Sequence, residues 1–178
     1  MKKRRLLASL LLMILLTSTV ALSGCSGDKE NSSSSITIGI PQDIEDSLDP
    51  HDMLAAGTKE IFFNVYEGLY KADSEGNLVP AVASGVEISE DGLTYTFTVK
   101  EGVKFHNGNP VTAEDIRYSV EKFADIEGGA PSIAAFSNIE AVEITEDGAV
   151  AIKLAQPDSD FLTMLSTIEA TIIPADNA

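Results

Sequence analysis

Apolar and polar residues alternate in short stretches through most of this chain, and at two places the spacing lengthens to that of a helix. Ile36-Thr37-Ile38-Gly39-Ile40 has the period-two pattern of a strand, ended by Pro41. Leu48-Asp49-Pro50-His51 reads as a turn. It leads into a helix from about Met53 to Tyr66, because Ile61, Phe62, Val65, Tyr66 and Leu69 fall at helical spacing. Leu69-Tyr70-Lys71 and Leu78-Val79, separated by Ser74-Glu75-Gly76-Asn77, predict a short hairpin.

The clearest strand pair follows. Val86-Glu87-Ile88 turns through Glu90-Asp91-Gly92 into Thr94-Tyr95-Thr96-Phe97-Thr98-Val99. Tyr95, Phe97 and Val99 share one face and the threonines the other, so one face packs on a core and the other meets water. Asn107-Gly108-Asn109-Pro110 is a further turn. Thr112 then caps a helix, with Asp115 as the return partner of a capping box and Ile116, Val120 and Phe123 as its buried stripe. Gly128-Gly129 breaks the chain. A second hairpin, Ile139 to Leu154, repeats the first: Val142-Glu143-Ile144-Thr145-Glu146-Asp147-Gly148 echoes Val86-Glu87-Ile88-Ser89-Glu90-Asp91-Gly92. Two copies of one turn are too few for a solenoid. Ser159 is placed to cap a last short helix, and Ala170 to Ile173 reads as a strand before Pro174. The class is mixed α and β, with hairpins and two or three helices.

Charge narrows the partners. The chain carries −16; four of its 12 Lys+Arg precede residue 25 and none of its 28 Asp+Glu does, so the remainder stands near −20. That balance argues against nucleic acid and against docking on anionic lipid. Catalysis finds no constellation either. The two histidines, His51 and His106, lie 55 positions apart beside different turns and read as turn or surface residues, and no metal-ligand spacing surrounds them. Cys-x-x-Cys, His-Glu-x-x-His, a Gly-x-Ser-x-Gly elbow and a phosphate-cradling loop are all missing from the sequence. The pairs Glu90-Asp91, Glu114-Asp115 and Glu146-Asp147 fall in turns or a first helical turn, where acids serve structure. We therefore expect no enzyme, no cofactor and no metal site.

The start of the chain carries an address. Lys2-Lys3-Arg4-Arg5 precedes an apolar run from Leu6 to about Ala21, and Leu22-Ser23-Gly24-Cys25 follows, the cysteine being the only one. A basic start, an apolar middle and small residues make a secretory signal peptide. By themselves these residues also allow an uncleaved membrane anchor, a free thiol or half of an intermolecular disulfide. The run is short for a span, however, and includes Ser9 and Thr17-Ser18-Thr19. Leu22 to Cys25 resembles the lipobox of bacterial lipoproteins, in which cleavage before the cysteine precedes its acylation. The resemblance implies residues 1–24 as signal, an acylated (palmitate-bearing) Cys25, and the Ser-rich residues 25–35 as a flexible tether. Residues 36–178 are left for the folded part, enough for one domain of ordinary size without disulfides.

A family likeness runs through the folded part. Leu78-Val79-Pro80-Ala81-Val82-Ala83-Ser84 continues into Ile88-Ser89-Glu90-Asp91-Gly92-Leu93-Thr94-Tyr95-Thr96-Phe97. Val99-Lys100-Glu101-Gly102-Val103-Lys104-Phe105-His106-Asn107-Gly108 and Pro110-Val111-Thr112-Ala113-Glu114-Asp115-Ile116 follow, with Ser119 and Glu121 beyond. This resembles the signature of the family 5 extracellular solute-binding proteins, the oligopeptide-, dipeptide- and nickel-binding lipoproteins of ABC importers. Leu48-Asp49-Pro50-His51 and Tyr66-Glu67-Gly68-Leu69 resemble that family's first segment. Many members carry a tryptophan after the Ala-Ser pair, where this chain has Gly85, and it has no tryptophan at all.

The resemblance implies the first lobe of a type II periplasmic-binding-protein-like fold, incomplete here because members are much longer and have two lobes that close over the ligand. It implies a monomeric receptor, lipid-anchored on the outer face of the cell membrane (periplasmic or extracellular). Such a receptor captures a peptide or related small solute and delivers it to an ABC permease and its ATPase. Position by position, Met53 and Thr58 are expected to line the ligand. The alternatives are a lipid-anchored surface enzyme and a truncated receptor fragment without function of its own.

Overall fold

A computed structural model of the chain describes residues 37–39, 44, 47–131 and 133–175. Contacts divide the chain into two units, residues 1–39 and 40–178. Of the first, Thr37, Ile38 and Gly39 are described; all three are exposed and outside regular structure. The expected strand is not formed there, and its ends at Ile36 and Ile40 lie outside the described residues. So do the signal, the lipobox, Cys25 and the tether.

The second unit is organised around antiparallel hairpins. β1 (Tyr70–Ala72) pairs with β2 (Leu78–Pro80). A four-stranded sheet in the order β3-β4-β6-β5 is built from β3 (Ala83–Ile88), β4 (Thr94–Val99), β5 (Ile139–Ile144) and β6 (Val150–Leu154). All three sequence-predicted hairpins are therefore present, and β4 and β6 bring the two longer ones together through pairs such as Tyr95 with Ile152 and Phe97 with Val150. The repeated turn is repeated in three dimensions. Ser89 Oγ donates to Asp91 Oδ1 at 2.5 Å, and Thr145 Oγ1 donates to Asp147 Oδ1 at 2.6 Å. In each, the hydroxyl also accepts a backbone N–H at the entry to the returning strand, that of Thr94 or of Ala149 just before β6, at 2.9 Å. Gly92, at φ +70°, takes the left-handed conformation the turn needs.

One sheet face is covered. Tyr95, Phe97, Val150, Ile152 and Leu154 are buried, while Thr98 and Lys153 face out. Against the buried face lies α2 (Ala113–Ala124), which packs chiefly on β5. Its start is the expected capping box: Thr112 Oγ1 accepts from the Asp115 N–H at 3.3 Å, and Asp115 Oδ2 accepts from the Thr112 N–H at 2.8 Å. Ile116, Val120 and Phe123 are buried as the spacing predicts. Phe123 meets Phe136 at 4.6 Å between ring centres, and Tyr95 meets Phe161 at 4.8 Å.

The structure departs from the pattern at the element ends. α1 spans Ala56–Phe62, not Met53 to Tyr66. Ala55 is extended and offers no capping side chain, and beyond Phe62 the tighter bonds Asn64 N–H to Ile61 O and Val65 N–H to Phe62 O close the helix. α2 stops at Ala124, before the glycine pair. Asp125 takes a left-handed conformation, and its carboxylate accepts from the Gly128 and Ala130 N–H groups. Ser159 does not cap α3 (Phe161–Met164); Asp160 stands at that position and makes no side-chain cap. Residues 170–173 are no strand beyond a single bridge, Thr171 to Gly68. The Ile172 N–H makes that bridge's bond, to Glu67 O, but the pairing goes no further because the N–H groups beyond it bond to α2 side chains: Ile173 to Ser119 Oγ and Ala175 to Asp115 Oδ1. Among the described residues no helix is long and apolar enough to cross a membrane.

Candidate functional site

The segment that carries Met53 and Thr58, residues 48–69, is bound at several points to residues 168–173. It begins in a turn built by its own side chains. Asp49 Oδ1 accepts the His51 N–H at 3.0 Å, and the Asp49 carboxylate pairs with Lys122 near the end of α2. Burial pushes the Asp49 carboxyl up, but Lys122 and the His51 N–H outweigh it and hold it below the usual carboxylate range. His51 then lies inside the protein, 3% exposed, with Nε2 2.8 Å from the Thr171 carbonyl oxygen and its ring edge-on to Phe123 at 5.6 Å. Burial lowers its pKa, against the pull of the carbonyl and of Asp49 and Asp52. This corrects the sequence reading of His51 as an ordinary turn or surface residue; His106 is indeed exposed.

Further along, Lys59 Nζ lies 2.6 Å from Glu169 Oε1. Burial raises the Glu169 carboxyl, yet Lys59 holds it below its ordinary value. The segment ends where Gly68 passes the backbone of Leu165 and Ala170. A methyl group at Gly68 would lie 2.6 Å from Leu165 O and 3.1 Å from Ala170 O.

Met53 and Thr58 sit within this clasp, 2% and 1% exposed. Neither reaches the surface. Thr58 Oγ1 is buried without a hydrogen-bond partner among the described residues. An unsatisfied buried hydroxyl costs about 1–3 kcal/mol. Thr58→Val keeps the shape and removes the cost, so it is expected to raise stability by about 1 kcal/mol in urea unfolding. Destabilisation of similar size would show that the hydroxyl has a structural partner.

Two cavities flank the clasp. One of about 250 Å³ lies between Tyr66, Val82, Phe105, Val111 and Ile172. Another, of about 280 Å³, is lined by His51, Asp52, Lys122, Phe123, Asp125 and Ala130. Both fall just below the ~300–1,000 Å³ of pockets that enclose a whole small ligand. Among the described residues no three His, Cys, Asp or Glu side chains converge to hold a metal. The long-range ties of His51, Asp49 and Lys59 are what sequence reasoning missed. Their partners lie 73 to 120 positions away, and no local pattern announces them.

Comparison with known proteins converges on one family. Residues 77–178 match the middle region of the bacterial extracellular solute-binding proteins, family 5. The dipeptide-binding protein of Lactococcus lactis subsp. cremoris (strain MG1363) is 32% identical over 180 residues, covering 90% of this chain and 32% of that protein. A glutathione-binding protein, GsiB, of Pectobacterium atrosepticum is 31% identical over 71% of this chain and 25% of its own length. Among solved structures, the Escherichia coli murein tripeptide binding protein MppA superposes with TM-score 0.64 at 26% identity, over 74% of this chain and 29% of that one. NikZ from Campylobacter jejuni, in complex with Ni(L-His), superposes with TM-score 0.56 at 31% identity, over 63% of this chain and 22% of its own. The chain thus spans about a third or less of the length of these relatives, and the expected mixed α/β fold is that of part of a type II periplasmic binding protein. It belongs to family 5 of the bacterial extracellular solute-binding proteins, which are transport receptors and not enzymes.

Proposed function

We propose that this protein captures a short peptide or a related small solute outside the cell and delivers it to an ABC permease, acting as a monomer held on the membrane surface by acylated Cys25. The observation that carries the reading is the match across residues 77–178, together with a dipeptide-binding relative that aligns along 90% of the chain. The acidic balance fits a role outside the cell, where charge maintains solubility. Capture by such a receptor is a closure equilibrium: the solute contacts both lobes and favours the closed form by its differential affinity.

Within the described part, Met53 and Thr58 are the side chains proposed to meet the solute. Thr58 Oγ1, lacking a partner among the described residues, is a hydrogen-bonding group still available to a ligand. Both residues are buried, so contact requires the 48–69 segment to shift.

The anchor supplies proximity. Each acyl CH₂ buried in a bilayer contributes about 0.8 kcal/mol, and more than one chain is needed for stable attachment. A di- or triacylated Cys25 therefore keeps captured solute near its permease without a membrane span. Cells fed labelled palmitate are expected to label the wild-type protein, whereas Cys25→Ser gives no label and leaves uncleaved precursor. Equal labelling of the two proteins overturns the anchor.

A further inference from the structure

His51 holds its ring in one protonation state by geometry. A carbonyl oxygen only accepts, so the 2.8 Å contact with Thr171 requires Nε2 to carry the proton. Nδ1 of the neutral ring is then a bare acceptor, and among the described residues it is buried without a partner. A second proton would make Nδ1 a donor, and no described residue stands ready to receive it. It would also place a full charge beside the Phe123 ring, in a site nearly closed to water. The neutral ring fits this position and the charged ring does not.

A destination for the charged ring lies alongside. The cavity of about 280 Å³ has His51 on its wall and two carboxylates, Asp52 and Asp125, among its other lining residues. The Asp52 carboxylate makes no hydrogen bond among the described residues. That of Asp125 accepts from two backbone N–H groups, at 3.2 and 3.1 Å, which leaves lone pairs unused. The charged groups facing His51 from its own turn are Asp49 and Asp52, and from the end of α2 they are Lys122 and Asp125. Lys122 is paired with Asp49, so the cavity's net character is acidic. On the element that carries Thr171, the charged group is Glu169, paired with Lys59.

We propose that His51 is a proton-operated latch: the neutral ring fastens the turn at residues 48–53 to Thr171, and the doubly protonated ring leaves that carbonyl for the acidic cavity and frees the turn. The direction follows from burial, which favours the neutral ring in the closed form. Closure is therefore complete above the ordinary histidine value of about 6.5. It weakens as pH falls below that value, until the closed form's own lowered pKa is reached. Asp49 and Glu169, whose pKa values are lowered, stabilise the fold above the ordinary carboxylate range and lose that contribution only as pH falls through it. The interval between about pH 7.5 and 5 thus isolates His51. Met53 lies in the freed segment, so acid would loosen the proposed solute-facing residues; that consequence rests on the receptor reading, and the latch itself does not.

The chain has two histidines, so an NMR titration of the full chain in detergent resolves both, with His106→Gln assigning them. His51 is expected to titrate below the ordinary histidine value of about 6.5. The Ile172 N–H, which donates to Glu67 O at 3.0 Å, reports the clasp through its exchange protection. That protection is expected to fall about tenfold per pH unit below about 6.5, the signature of one linked proton, and to level off where His51 titrates. In His51→Gln, an amide donor that does not titrate replaces the ring, and protection should stay constant between about pH 7.5 and 5. A His51 that titrates at or above about 6.5, or an Ile172 protection with the same pH dependence in His51→Gln, overturns the latch. Should that variant fail to fold, the wild-type titration decides alone: protection that does not level off at the His51 midpoint contradicts the proposal. Peptide uptake by cells tests the receptor reading separately.

Discussion

Gly68→Ala is expected to destabilise the protein by about 3 kcal/mol, at the upper end for overpacking, and to speed exchange of the Ile172 N–H. The penalty comes from space, not from backbone strain, because Gly68 does not take the left-handed conformation. The added methyl would meet backbone oxygens on two sides, Leu165 O at 2.6 Å and Ala170 O at 3.1 Å. Neither can swing aside as the end of a side chain could. Relief requires the two segments to part, which breaks the Gly68–Thr171 bridge and the bond from Ile172 N–H to Glu67 O. Urea unfolding measures the loss, and a variant within ~0.5 kcal/mol of wild type would show that the clasp is not closely packed.

Phe97→Ala is expected to cost more, about 3–5 kcal/mol. Phe97 is fully buried on β4, between neighbours β3 and β6, and lies edge-on to Tyr70 at 6.2 Å. Truncation removes apolar burial and leaves a cavity that the flanking strands cannot collapse to fill. Against a typical total of 5–15 kcal/mol, the variant should be partly unfolded near body temperature. Phe97→Leu, which keeps most of the volume, should cost under about 1.5 kcal/mol. Equal losses for the two variants would place the effect somewhere other than in the cavity.

These two residues differ in how far the sequence announced them. Phe97 was legible because strict alternation with Tyr95 and Val99 assigns its face before any partner is known. The same holds for the capping box at Thr112 and for the repeated turns, whose side chains bond within a few positions of themselves. Gly68 carried no such mark, since its need for space is set by Leu165 and Ala170, about a hundred positions on. The 170–173 stretch shows the limit from the other side. Its apolar residues read as a strand, but after the one bridge to Gly68 the side chains of α2 take the N–H groups that a strand partner would have used. Ser159 is outplaced at the start of α3 by a one-residue shift, below the accuracy of any local pattern. Met53 and Thr58 entered through a family likeness alone, and their burial follows from the clasp that closes over them.

The clasp also gives the receptor account its physical form. A capture protein needs an element with two arrangements of similar free energy, so that a solute contact can decide between them. The 48–69 segment is fastened by identifiable ties: His51 to Thr171, Asp49 to Lys122, Lys59 to Glu169, the Ile172 N–H to Glu67 O and the close pass at Gly68.

We propose that the protein feeds small peptides to an importer, and the most direct measurement is accumulation of a labelled dipeptide by cells with and without its gene. Deletion is expected to reduce initial uptake tenfold or more at a peptide concentration near 1 μM, where capture limits the rate, and the wild-type gene should restore it. Uptake unchanged by the deletion, across dipeptides of differing charge and apolar content, would contradict the account.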